Sequence, residues 1–124
     1  MQIKAEAKYL PISPRKVRLV ADLIRGKSVG ESLALLENIP KRGAGFLKKT
    51  ICSALANAIN NLNLKEENLV VSQLLVDEGP RTKRMDKSHG ARFDRGIIRK
   101  RTSHIKVVLE ERKKIKSPKL KVKS

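Results

Sequence analysis

Residues 79–101 read GPRTKRMDKSHGARFDRGIIRKR, between two strand-like segments, LVVSQLLVD at 69–77 and TSHIKVVLE at 102–110. The 23-residue stretch holds nine basic residues, Arg81, Lys83, Arg84, Lys87, Arg92, Arg95, Arg99, Lys100 and Arg101, against two acids, Asp86 and Asp94. Connections longer than about 12–15 residues are uncommon inside compact domains unless they carry a function. Fixing each backbone unit costs about 1–2 kcal/mol, and Met85, Phe93, Ile97 and Ile98 are too few to offset that sum alone. Seven net positive charges also repel one another until something neutralises them. The stretch therefore calls for a partner dense in negative charge, and nucleic acid fits. If the flanking strands pair antiparallel, residues 79–101 become the connection of one hairpin. Arms of about eleven residues extend such a ribbon roughly 35 Å at ~3.3 Å per residue.

The charge outside the hairpin supports the same reading. The chain has 124 residues, a formal net charge of +17 and a pI near 10.5. Its tail, residues 112–124, adds seven basic residues and no acid, so hairpin and tail supply 14 of the 17 charges. The other 88 residues carry 13 basic and 10 acidic groups, an ordinary balance for a folded domain. The division is thus a globular unit over 1–111 that includes the hairpin, and a basic tail over 112–124 that reads as disordered. No apolar run reaches 18 residues and no secretory leader is visible, so no membrane partner is expected. The lone Cys52 excludes an internal disulfide and fits a reducing compartment.

Within the body, Ile3, Ala5, Ala7 and Tyr9 alternate with Lys4, Glu6 and Lys8, which predicts a half-buried strand ended by Pro11. Ser13-Pro14 reads as an N-cap followed by proline at the first helical position. Val17, Val20, Ala21 and Ile24 then recur at helical spacing towards a stop at Gly26. Arg15, Arg18 and Arg25 fall on another face and are expected to form a phosphate-facing row. Ser28-x-x-Glu31 matches a capping box for a short helix ending before Pro40. A third helix over about 41–61 carries the stripe Ala44, Leu47, Ile51, Ala54, Ala58 and Leu62, with Cys52 beside it as a packing residue. The run at 69–77 reads as a strand covered on most of both faces. Over 102–110, Ser103, Ile105, Val107 and Leu109 form one side, and Thr102, His104, Lys106 and Val108 the other. The fold class is α+β: a small three-stranded antiparallel sheet packed against three helices, with a long protruding basic hairpin.

Catalytic chemistry finds no footing here. Asp77-Glu78 are adjacent rather than paired across a cleft, and Glu66-Glu67 sit in a turn. His89 and His104 lack ligand partners at metal spacing, and no glycine-rich phosphate loop is present, so neither metal nor cofactor is expected. Three scattered aromatics, Tyr9, Phe46 and Phe93, cannot build a base-stacking platform. RNA recognised by shape is the better reading. An architectural nucleoid-type DNA binder is the alternative, with Phe93 its one candidate minor-groove wedge.

Four colinear motifs complete the sequence reading. They are Ser13-Pro14-Arg15-Lys16-Val17-Arg18-Leu19-Val20-Ala21-Asp22-Leu23-Ile24-Arg25-Gly26-Lys27, then Ala54-Leu55-Ala56-Asn57-Ala58. Val76-Asp77-Glu78-Gly79-Pro80 with Lys83-Arg84 follows, and Lys100-Arg101-Thr102-Ser103-His104-Ile105 closes the set. Over about residues 3–110 they resemble the large-subunit ribosomal protein twenty-two family, bacterial type. The resemblance implies a structural, non-enzymatic role: binding 23S rRNA, aiding subunit assembly and lining the nascent-peptide exit tunnel with the hairpin. It implies rRNA contact through Arg15, Lys16, Arg18, Arg25 and Lys27, and along the hairpin through Arg81, Lys83, Arg84, Lys87, Arg92, Arg95, Arg99, Lys100 and Arg101. It further implies a tunnel-facing tip of Met85, Asp86, Lys87, Ser88, His89 and Gly90. The implied partners are 23S rRNA, neighbouring ribosomal proteins including ribosomal protein four, and the nascent peptide in transit, in the cytoplasm. The tip departs from the family's Pro-Arg-Ala and Gly-Arg-Ala pattern: it is two residues longer, proline-free and acidic at Asp86.

Overall fold

The computed structural model describes residues 2–86 and 96–112. The chain runs β1 (Gln2–Leu10), α1 (Pro14–Ile24), α2 (Val29–Asn38), α3 (Arg42–Leu62), a 3₁₀ turn (Glu66–Asn68), β2 (Leu69–Glu78), β3 (Thr82–Met85), β4 (Ile97–Lys100) and β5 (Ser103–Glu111). β1, β5 and β2 form an antiparallel sheet in that order, and β3 pairs antiparallel with β4 in a separate two-stranded ribbon. This is the expected α+β fold. The expected disorder of the tail and the residues at the tip of the hairpin, 87–95, lie outside the described residues.

The core forms because each element turns one apolar face inward. Ile3 and Ala5 from β1, Val17, Val20, Ala21 and Ile24 from α1, and Leu47, Ile51 and Ala54 from α3 meet Leu69, Val71, Leu74, Ile105, Val107 and Leu109 of the sheet. Small residues on α3 let it lie close to its neighbours. Gly43 does this most sharply: a Cβ there would stand 3.4 Å from the Cα of Val17, so α3 begins almost in backbone contact with α1. Ser28 Oγ accepts from the Glu31 N–H at 3.3 Å, the cap expected for α2. Ser13 occupies the N-cap position of α1 with Pro14 behind it, but its side chain makes no capping bond.

Five placements differ from expectation. Tyr9 is 67% exposed rather than inward. It sits at φ 57 where the β1–β5 register slips between Ala7 and Leu10, its N–H donates to His104 Nδ1 at 3.0 Å, and Leu10 takes the inward position. β2 is an edge strand covered on one face, not both. Its register shifts between Val71 and Gln73, so the buried set changes from Leu69 and Val71 to Leu74 and Val76, which makes an alternating strand read as a continuous apolar run. Cys52 is exposed, because the helix turns about 100° between it and buried Ile51. Leu62 is 40% exposed: Asn63 turns left-handed at φ 51, and Leu64 packs on the core in its place. Val108, expected on the outer side, is buried on the central strand.

Candidate nucleic-acid interface

Helix α1 lies along the outer edge of β2, and its cations divide by what they touch. Arg18 donates from Nε and from a terminal nitrogen to the Val76 carbonyl at 3.2 and 2.9 Å. Arg25 donates from Nε to the Leu74 carbonyl at 3.0 Å and pairs with Asp22. Just beyond, the Gly26 N–H donates to the Val71 carbonyl and the Val71 N–H to the Lys27 carbonyl, each at 3.0 Å. Gly26 reaches this position at φ 76, where a Cβ would be strained. An open edge strand offers unpaired groups to any other strand; here helix side chains and one turn occupy them. Arg18 and Arg25 thus serve the fold as well as carrying charge. The side chains of Arg15 and Lys16 have no protein partner among the described residues and, with Lys27, face solvent.

The ribbon is almost wholly exposed. Its register places Thr82 opposite Lys100, Lys83 opposite Arg99, Arg84 opposite Ile98 and Met85 opposite Ile97. Lys83 and Arg99 are like charges set directly across from each other, an arrangement that opposes pairing unless an anion lies between or over them. Met85, Ile97 and Ile98 are 62%, 60% and 46% exposed, so the ribbon has no core of its own. The Gly79 N–H donates to the Thr102 carbonyl at 2.9 Å and Thr102 Oγ1 to the Pro80 carbonyl at 2.7 Å, which ties the ribbon's root to the sheet. A side chain at Gly79 would run into Thr102 Oγ1, so that hydroxyl would have to shift to admit one. Arg81 is held by Glu78 at 3.1 Å, leaving it less available than its neighbours. Of the tip, Met85 and Asp86 are placed, while Lys87, Ser88, His89 and Gly90, with Arg92 and Arg95, lie outside the described residues.

Where ribbon and body meet, a cleft of about 650 Å³ opens between the starts of α1 and α3 and strand β4. Lys16, Arg42, Arg99, Lys100 and Arg101 line it, so it gathers cations from three elements. Sequence reasoning singled out all of these except Arg42. The available signal was the Lys41-Arg42 pair at the start of a helix, a place where an acid is the stabilising choice.

The sequence that builds this ribbon and body has relatives among known proteins. The family model described as ribosomal protein L22p/L17e matches residues 5–110. The chain belongs to this family. The L22p/L17e assignment makes it a ribosomal protein, structural and not an enzyme, and removes the nucleoid alternative. Large ribosomal subunit protein uL22 of Thermus thermophilus is 53% identical over 112 residues, covering 90% of this chain and 97% of that protein. The uL22 of Halothermothrix orenii is 49% identical over 113 residues, covering 91% and 98%. The family match stops at residue 110, so the lysine-rich residues after it gain no reading from it. No helix among the described residues is long and apolar enough to cross a membrane.

Proposed function

We propose that this chain is a structural constituent of the large ribosomal subunit that binds 23S rRNA, helps the subunit assemble and lines the nascent-peptide exit tunnel with its hairpin. The observation that carries the reading is the ribbon itself: paired, cationic on both strands, without a core, and set with Lys83 opposite Arg99. Phosphates would relieve the repulsion between the opposed cations, and rRNA supplies them at high density. Arg15, Lys16, Arg18, Arg25 and Lys27 meet rRNA from α1 and its following turn. Arg81, Lys83, Arg84, Lys87, Arg92, Arg95, Arg99, Lys100 and Arg101 do so along the hairpin. By the family resemblance, the tip, Met85 to Gly90, faces the tunnel beside ribosomal protein four. The chain works in the cytoplasm as part of the ribosome.

Co-sedimentation with large subunits at moderate salt tests the role, and footprinting of 23S rRNA tests the contacts. Retention on the large subunit, with protection of rRNA backbone lost when Lys83 and Arg84 are both changed to Gln, is the expected result. Recovery of the chain free of subunits, or with duplex DNA in preference to rRNA, defeats the reading.

A further inference from the structure

The cleft at the root of the ribbon carries an inference of its own. Its five cations come from α1 (Lys16), α3 (Arg42), β4 (Arg99 and Lys100) and the turn after it (Arg101). Five described cations outside the cleft have a carboxylate partner: Lys8 and Lys106 with Glu6, Arg25 with Asp22, Lys48 with Glu37, and Arg81 with Glu78. Others, such as Lys4, Arg15 and Lys49, stand singly on the surface; the cleft differs in gathering five cations in one place. No described carboxylate pairs with any of the five in the cleft, and none lines it. Arg42 is instead held by an aromatic face, its guanidinium 5.9 Å from the centre of the Phe46 ring.

The helices that open onto this cleft are also charged against their own stability. The N-terminal end of a helix carries partial positive charge and favours an acid in its first turn. Neither α1 nor α3 has one. They carry Arg15 and Lys16, and Lys41 and Arg42, at those ends. Helix α2, which does not reach the cleft, has Glu31 in its first turn. A sequence that breaks the local rule twice, at the two helix ends that share one cleft, marks a place where an anion is expected from outside.

We propose that the root cleft is a phosphate-binding site for the RNA backbone, with Arg42 and Lys16 as its body-side ligands and Arg99, Lys100 and Arg101 as its ribbon-side ligands. The proposal rests on the rRNA-binding reading above and goes further in two respects. It brings in Arg42, which no resemblance assigned, and it gives the bound phosphate a mechanical role. Body and ribbon belong to separate sheets joined by the short root at Gly79, Pro80 and Thr102. A phosphate gripped from both sides clamps the direction in which the ribbon leaves the body.

The test compares two charge reversals on α3 in the full chain, Arg42→Glu in the cleft and Lys49→Glu on the exposed helix surface, with 23S rRNA as the probe in filter binding across a salt series. Arg42→Glu is expected to weaken binding about tenfold more than Lys49→Glu, the scale of a lost charge-assisted contact. It should also flatten the slope of log K against log salt by about one unit. The melting temperature of the free Arg42→Glu protein should hold or rise, since the new carboxylate suits the helix end. Equal losses from the two variants would reduce the effect to net charge and overturn the cleft. A fall in melting temperature would make Arg42 a fold residue and overturn it too. Unchanged binding by Arg42→Glu while the wild-type chain binds would end the cleft proposal alone; a wild-type chain that fails to bind 23S rRNA would end the function proposed above.

Discussion

Arg18 shows how one residue serves stability and charge together. From the sequence it is one arginine in an exposed row; in the fold its guanidinium holds the carbonyl of Val76 with two bonds. Charge-assisted bonds contribute about 1.5–3 kcal/mol when shielded, and this one is only part-buried, so Arg18→Ala should cost about 1–2 kcal/mol in denaturant unfolding. Arg18→Lys should recover part of that, since an ammonium lacks the paired planar donors. Arg15→Ala, with no protein partner to lose, should leave unfolding within about 0.5 kcal/mol of wild type while still weakening rRNA binding. A stability loss at Arg15 matching that at Arg18 would show that the carbonyl contacts are not what distinguishes them. Nothing in the local sequence separates the two arginines. The difference lies in which strand carbonyls are left open, a property of β2 being at the sheet edge.

At the scale of elements, legibility followed periodicity. The helical recurrence of Val17, Val20, Ala21 and Ile24 and the capping box at Ser28 read directly into buried faces and a formed cap, because both are local. β1 read correctly as far as Ala5 and failed at Tyr9; β2 read as a strand but with the wrong exposure. Both failures sit at register slips, where one residue changes phase for reasons set by the partner strand. Similarly, the cationic stretch was legible as a hairpin, but the cleft at its root was not, because Arg42 lies 57 residues from Arg99 in the chain. The root gives its own prediction. A Cβ on residue 79 would stand 2.3 Å from Thr102 Oγ1, so in Gly79→Ala that hydroxyl must turn and leave the Pro80 carbonyl. The expected outcome is a loss of about 1 kcal/mol, with faster amide exchange at residue 79 and unchanged protection in α3. Unaltered exchange at residue 79 would mean that the root accommodates a side chain, and that glycine there is not a packing requirement.

Across the whole molecule, +17 on 124 residues sets two responses to salt in opposition. The free chain repels itself, and added salt screens that repulsion over a Debye length of about 8–10 Å at 0.10–0.15 M. The same salt weakens the internal ion pairs. These are exposed or half-exposed side chains, such as Lys48 with Glu37 at 3.0 Å and Lys106 with Glu6 at 3.3 Å, and pairs of that kind contribute about 0–1 kcal/mol each. Repulsion spread over the full surplus of cations should outweigh them, so the melting temperature of the free protein should rise between 50 and 300 mM potassium chloride. Binding to rRNA should move the other way. If about eight phosphates are neutralised, log K falls against log salt with a slope of about −6 to −7, at roughly −0.7 to −0.9 per contact. Replacing Lys83 and Arg84 by Gln should remove close to two contacts from that slope, while the melting temperature stays level or rises, since neither side chain touches the core and Lys83 loses its clash of charge with Arg99. A melting temperature that falls with salt would show that the exposed pairs govern stability. A slope untouched by the double variant would show that Lys83 and Arg84 meet no phosphate, leaving α1 and the root cleft to carry the attachment.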